Sequence, residues 1–221
     1  KNGISMTYNN LGKVYEIEEN YPKSLEFYQN ALKINTKMGY RQKMGLNYKN
    51  LGLIYTKLND STKAFDNYAK SLAILEKMDD RQEIASNYMV RGETYLYFKQ
   101  YQKALPYFQK ALGMYQSLKQ KPALANVLMA RGNTYYHLKN YSKAVVNLEK
   151  GIAIAKEVKN LDDVKNGAQI LVQAYQAIGD YKAAFENQVL FQQMSDSLLN
   201  KENIKKFTRL ETTYEFEKEK D

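Results

Sequence analysis

The sequence predicts an all-α chain, a right-handed solenoid of five helical hairpins followed by a C-terminal helix. Two observations carry that prediction. First, one pattern returns every forty residues without insertion or deletion: Leu11-Gly12 with Tyr15, Leu51-Gly52 with Tyr55, Arg91-Gly92 with Tyr95, Arg131-Gly132 with Tyr135, and Leu171-Val172 with Tyr175. Ten residues further on, each copy has a second cluster: Tyr21 with Ser24, Ser61 with Ala64, Tyr101 with Ala104, Tyr141 with Ala144, and Tyr181 with Ala184. Second, apolar residues inside each copy recur at three- and four-residue steps, the period of a helix with one buried face. A fixed period of this length is the mark of stacked repeats that contact chiefly their neighbours. The repeats are 1–40, 41–80, 81–120, 121–160 and 161–200, and 201–221 forms a separate capping or coiled-coil helix.

In the first repeat, Met6, Leu11, Val14 and Tyr15 place a helix over 4–19. Gly12 sits mid-helix, where glycine costs about 1 kcal/mol. Its return at 52, 92 and 132 implies close approach of a neighbouring helix that a side chain would push away. Asn20-Tyr21-Pro22 breaks the helix and opens the next, since proline suits a first turn. Leu25, Tyr28, Ala31 and Leu32 then share one face of a second helix. Each repeat is therefore two antiparallel helices. A single hairpin cannot cover its own apolar stripe, so stacking is required.

The second repeat uses Tyr48, Leu51, Tyr55, Phe65, Tyr68 and Leu72, with Asp60-Ser61 at the turn and cap. The third uses Tyr88, Tyr95, Leu105, Phe108 and Leu112, and Pro106 predicts a small bend in its second helix. The fourth opens on Lys121-Pro122 and uses Leu128, Tyr135, Val145, Leu148 and Ile152. The fifth drifts: Val172 replaces the glycine, and Gln188 and Gln192 stand where earlier repeats are apolar. Beyond Asn200, Ile204, Phe207, Leu210 and Tyr214 form a short seam on a highly charged helix.

Composition narrows the function. There is no cysteine among the 221 residues, so thiolate and disulfide chemistry are excluded. That absence suits a reducing cytosol and an extracytoplasmic space equally. One histidine rules out a multi-histidine metal site. No run of about 18 apolar residues is present to span a membrane, and because residue 1 already lies inside a repeat, no signal peptide is expected within these 221 residues. The net charge of +9 is uneven, with a basic excess over 81–160 and an acidic one over 161–200. Such asymmetry steers acidic partners, although lysine-rich solvated helix surfaces produce the same count. No glycine-rich phosphate loop, metal-ligand spacing or nucleophile elbow occurs. No cofactor or metal is expected, and no enzymatic activity, because no residue pair suggests acid–base or nucleophilic work.

The pattern Leu-Gly-x-x-Tyr, a turn, then Tyr-x-x-Ala-x-x-x-Tyr/Phe-x-x-Ala-Leu resembles the tetratricopeptide repeat. The match covers about 1–200, with Tyr8, Tyr48, Tyr88 and Leu128 at the first-helix apolar position and Gly12, Gly52, Gly92 and Gly132 at the small one. Two features depart from the family: the unit is forty residues rather than the usual 34, and the proline that closes the second helix is missing. Both resemble the long-repeat branch found in bacterial peptide-pheromone regulators, Pins-type spindle proteins and kinesin light chains. The tail, Asp196-Ser197-Leu198 with Leu210-Glu211-Thr212-Thr213-Tyr214-Glu215, is similar to the end of Bacteroidetes-type sensor regions that precede a membrane helix and a histidine kinase or LuxR-type output domain.

The resemblance implies a concave face lined by first helices. It places Asn9, Lys13, Lys49, Leu53, Met89, Glu93, Asn126, Met129, Asn133, Gln169 and Gln173 on that face. Amides and lysines there suit a peptide backbone or carboxylate, and Met89 and Met129 suit an adaptable apolar floor. The two-lysine carboxylate clamp of chaperone-binding relatives is not reproduced. Arg91 and Arg131, standing where earlier repeats have leucine, are expected to pair with glutamate or cap carbonyls. His137 is expected to be an ordinary helix-end residue, and most of the 20 tyrosines to be core rather than nucleic-acid stacking platforms.

The expected function is non-enzymatic binding of a protein or peptide segment, as the sensory region of a bacterial signal-transduction protein. The alternatives are a cytoplasmic peptide-pheromone-type receptor and a nucleic-acid module using 81–160. The sensor reading implies a periplasmic location beside an inner membrane, with dimerisation possible through the C-terminal helix.

Overall fold

The computed structural model describes residues 2–218. Among them every regular element is an α-helix, and the chain divides into two compact units, 1–120 and 121–221. The first unit holds α1 (Asn2–Ile17), α2 (Tyr21–Met38), α3 (Arg41–Lys57), α4 (Ser61–Lys77), α5 (Arg81–Tyr97) and α6 (Tyr101–Ser117). The second holds α7 (Lys121–His137), α8 (Tyr141–Glu157), α9 (Leu161–Ile178) and α10 (Tyr181–Lys218). Each odd helix packs on the even helix after it, giving five consecutive hairpins. Within each unit the hairpins join through α2 on α3, α4 on α5, and α8 on α9.

The turns explain the length of the repeat. A left-handed residue recurs every twenty positions: Glu19, Gly39, Asn59, Asp79, Lys99, Lys119, Lys139, Lys159 and Gly179. After each, the next backbone N–H reaches back five residues, as in Asn20 to Tyr15 at 2.8 Å, Gln100 to Tyr95 at 2.8 Å and Asp180 to Tyr175 at 3.0 Å. This bond ends one helix, and the same residue then starts the next. Asn20, Asp60, Asp80, Asn140, Asn160 and Asp180 accept from the backbone N–H three residues on. The forty-residue period is thus two twenty-residue halves with one turn geometry.

Seven of these nine left-handed positions carry side chains, which costs about 1 kcal/mol each relative to glycine. Lys99→Gly is expected to raise stability by about that amount, read as a higher urea midpoint at unchanged slope. Gly39→Ala, at φ 68°, is expected to lower it.

The mid-helix glycines are notches for side chains rather than contacts between backbones. A Cβ built on Gly12 stands 2.9 Å from the ring of Tyr28, on Gly92 2.6 Å from Phe108, and on Gly132 2.7 Å from Leu148. Gly52 is tighter still against Tyr68. Each partner lies sixteen residues later on the second helix of the same hairpin, and Tyr28, Tyr68, Phe108 and Leu148 are all buried. The alanines at 64, 104 and 144 are also buried. Ser24 takes that place in the first hairpin and donates to the Gly12 carbonyl at 2.8 Å.

Lysines lie over the repeat tyrosines, Lys23 over Tyr15, Lys63 over Tyr55 and Lys143 over Tyr135. The arginines do likewise, in place of the expected glutamate pairing. The Arg91 guanidinium sits 4.8 Å from the Tyr107 ring centre and donates to its hydroxyl, and Arg131 lies over Tyr135. An aromatic face offers a planar cation a partner without a second charge to desolvate.

Helix α6 has 17 residues with Pro106 inside it. Helix α10 runs as one piece from Tyr181 to Lys218, with no turn near Asn200. Of the seam expected there, Ile204 is exposed; the side chains of Phe207, Leu210 and Tyr214 lie outside the described residues, as do 219–221.

Candidate binding groove

In the first unit, successive first helices meet through polar side chains. Asn47 on α3 donates to Asn9 on α1 at 2.6 Å and accepts from Asn35 on α2 at 2.6 Å. Asn35 and Asn47 are fully buried. Lys49 on α3 reaches α5, bonding Glu83 at 2.5 Å and Ser86 at 2.9 Å. Deeper in, Thr56, Tyr68 and Thr94 join α3, α4 and α5 through a triangle of hydroxyl contacts at 3.1–3.3 Å. Burial pushes the Tyr68 phenol up to about 12, so it stays a neutral donor.

Between α1 and α3 these contacts leave a cavity of about 300 Å³ lined by Met6, Asn9, Asn10, Lys43, Leu46 and Asn50. Its chemistry is mixed: two apolar side chains, Met6 (53% exposed) and the half-buried Leu46, with three amides and an ammonium. That combination suits an extended peptide, with one side chain in the apolar space and main-chain groups on the amides. In the second unit a cavity of about 270 Å³ lies among α8, α9 and α10, lined by Glu149, Ile152, Ala153, Lys156, Leu171, Asn187 and Leu190. Tyr175 donates to Glu149 at 2.6 Å.

The eleven residues expected on the concave face take different places. Asn9 borders the α1–α3 cavity, but its carbonyl oxygen already accepts from Asn47 and its amide donates to the Ser5 carbonyl. Lys13 is exposed and pairs with Glu16 at 3.1 Å. Lys49 is engaged by Glu83, so it braces α3 against α5. Leu53 is half-buried and Met89 is buried. Met129 packs against α8 and α9, with its sulfur 3.2 Å from where a Gly167 Cβ would stand. Met89 therefore belongs to the core, and Met129 is half-buried against the core of the second unit. A flexible thioether goes wherever the interior is irregular. Asn126, Gln169 and Gln173 are exposed and Asn133 is half-buried. The cavity residues the sequence did not single out are Met6, Asn10, Lys43, Leu46 and Asn50. Met6 and Leu46 stand one turn before Asn9 and Lys49, Asn10 and Asn50 one residue after them, and Lys43 nearly two turns before Lys49.

Glu93 is the distinctive charge of the α5 face. Its side chain reaches solvent, yet the protein mass around it raises the carboxyl to about 7, with Lys57 pulling the other way. A carboxyl raised on folding adds stability below its ordinary value near 4.5 and loses it as pH rises toward 7. Glu93→Gln should therefore match the parent chain near pH 4 and exceed it near pH 8. Urea midpoints across that range check this, and a constant difference at all pH values would count against it.

Among the described residues no helix is long and apolar enough to cross a membrane, and no group of His, Asp or Glu could hold a metal ion.

Comparison with known proteins agrees with this architecture. The chain is similar in fold to BtubC (BKLC) from P. vanneervenii, at 19% identity over 85% of this chain and 78% of that one, with TM-score 0.75. A kinesin light chain repeat protein of Podosopora anserina matches at 15% identity over 88% and 96%, TM-score 0.71. A Rap protein complexed with competence and sporulation factor matches at 16% identity, TM-score 0.76, over 90% of this chain and 56% of its own. No curated protein sequence matches. The tetratricopeptide repeat model matches residues 3–77 and 83–157. Those spans hold the glycine notches and tyrosine positions of the first four hairpins, and the chain belongs to the tetratricopeptide repeat family.

Proposed function

We propose that this chain is a non-catalytic scaffold that binds an extended peptide or protein segment along the first helices of the 1–120 unit, at the cavity between α1 and α3. The observation that carries the reading is that cavity's lining, Met6 and Leu46 with Asn10, Asn50 and Lys43. It is large enough for one bulky side chain, and its amides can pair main-chain groups without demanding a sequence. A Rap conjugation gene regulator of similar fold was solved in complex with the Phr* peptide, which supports the class of ligand. The wider context is the sensory region of a bacterial signalling protein, on the periplasmic side of an inner membrane, with α10 leading toward an output domain. The cytoplasmic receptor reading shares the same cavity.

Peptides selected from a random display library against the chain test the site. Asn50→Phe, which fills the cavity, is expected to weaken the selected peptides by more than about tenfold, the worth of one seated apolar side chain. Gln176→Ala, at an exposed position of α9 in the other unit, should leave them unchanged. Equal affinity for the parent and Asn50→Phe chains would reject the site.

A further inference from the structure

The hairpin joints inside the two units share one register and compare residue by residue. At the α4–α5–α6 joint, rings and cations make the contact. Tyr107 stacks on Tyr95 at 5.3 Å, lies 6.4 Å from the Tyr88 ring, and has the Arg91 guanidinium 4.8 Å from its centre. Lys110 covers Tyr88 at 5.0 Å. At the α2–α3–α4 joint, Lys70 covers Tyr48 at 6.0 Å. Each joint of the first unit thus holds an aromatic ring with a cation on its face.

The α8–α9–α10 joint has lost the whole set. Eighty residues on, Asn187 stands for Tyr107, Ala168 for Tyr88, Leu171 for Arg91 and Leu190 for Lys110. Leu171, Asn187 and Leu190 line the cavity of about 270 Å³ among these helices. It lies between two consecutive hairpins of one unit. Tyr175 remains, at the register of Tyr95. The residues that stack on Tyr95, Phe65 and Tyr107, are here Val145 and Asn187. The Tyr175 hydroxyl turns to Glu149 at 2.6 Å.

We propose that this cavity is a second binding site, and that it takes an aromatic side chain of a partner protein with an arginine or lysine beside it. The ring takes the register of Tyr107, against Ile152, Leu171 and Leu190. The space suffices, since an apolar cavity of about 150 Å³ holds benzene. Glu149 accepts from Tyr175 through Oε1, which leaves Oε2 for the cation. Lys156 lies seven residues along α8, about 10 Å away, and keeps the cation at the Glu149 end. The acidic excess over 161–200 draws a basic segment to this unit. Glu149, Ala153 and Lys156 are exposed, so the mouth admits a side chain from outside and does not enclose a free small molecule. The site is independent of the α1–α3 cavity, which belongs to the other unit.

NMR titration of the 221-residue chain with capped dipeptides tests this. Acetyl-Arg-Tyr-amide is expected to bind at millimolar concentration and to shift amide signals of α8, α9 and α10. Acetyl-Arg-Ala-amide, without the ring, should bind more than about tenfold more weakly, the worth of one seated aromatic side chain. Acetyl-Gln-Tyr-amide, without the cation, should bind about threefold more weakly, the size of an exposed ion pair. Glu149→Gln should remove the second difference and keep the first. Asn187→Tyr supplies a ring from the chain itself, as in α6. It is expected to raise the urea midpoint and to weaken the Arg-Tyr probe by more than about tenfold. No saturable shift at millimolar probe, shifts confined to other helices, or equal affinity of the Arg-Tyr probe for the parent and Asn187→Tyr chains would each overturn the proposal. So would equal binding of the three dipeptides, or p-cresol binding as tightly as the Arg-Tyr probe, which would mark a pocket for free small aromatics.

Discussion

Tyr68→Ala is expected to destabilise the 1–120 unit by about 3–5 kcal/mol, the range for emptying a large buried aromatic site. Tyr68 has no solvent exposure, and its ring fills the notch at Gly52. Its hydroxyl also contacts Thr56 and Thr94, so three helices lose a common partner. Tyr68→Phe separates these contributions. It keeps the ring and removes only the hydroxyl, and Thr56 and Thr94 still face each other at 3.1 Å. The expected loss is about 1 kcal/mol. Urea unfolding of both variants checks the difference; equal losses would mean that the ring's packing contributes little.

Gly92→Ala is expected to cost a net of up to about 2 kcal/mol, against the usual gain of replacing glycine in a helix. Alanine favours a helix over glycine by about 1 kcal/mol, and overpacking a filled core costs about 1–3. Overpacking should win here because the new Cβ would stand 2.6 Å from the Phe108 ring, and that ring is fully buried. Phe108→Leu should partly rescue the variant, since the branched side chain can turn aside. The double-mutant cycle would then show favourable coupling between the two substitutions. Strict additivity of the two losses would show that the glycine is there for another reason.

Much of this architecture is legible in the chain itself. The recurrence of Gly12, Gly52, Gly92 and Gly132 against a fixed tyrosine three residues on reports a neighbour that tolerates no side chain, and stacked hairpins are what such a repeat can build. Which neighbour fills the notch was not legible. Tyr28, Tyr68, Phe108 and Leu148 differ in chemistry, and only their common distance from the glycine unites them. The turns were half visible: Asn20-Tyr21-Pro22 read as a break and Asp60-Ser61 as a turn and cap, but Lys99 and Lys139 have no sequence mark of a left-handed backbone. The geometry of the repeat imposes it on them.

The cavity between α1 and α3 shares Asn9 with the residues expected on the concave face and otherwise has a different lining. A first helix has one face toward its own hairpin, one toward its neighbour and one toward solvent. The repeat pattern marks the first two through glycine, tyrosine and leucine. The third carries no pattern, so its centre has to be located by the helix rotation, which packing sets. That is why Met89 turned into the core, Met129 is half-buried, Lys49 was taken up by Glu83, and Asn10, Lys43, Leu46 and Asn50 came to line the cavity. The sequence by itself determined that the chain is a series of forty-residue helical hairpins, because periodicity needs only residue types and spacing. The tertiary structure alone decided which polar side chains are already satisfied by one another and which still face a partner, because that depends on distances between helices that no spacing along the chain encodes.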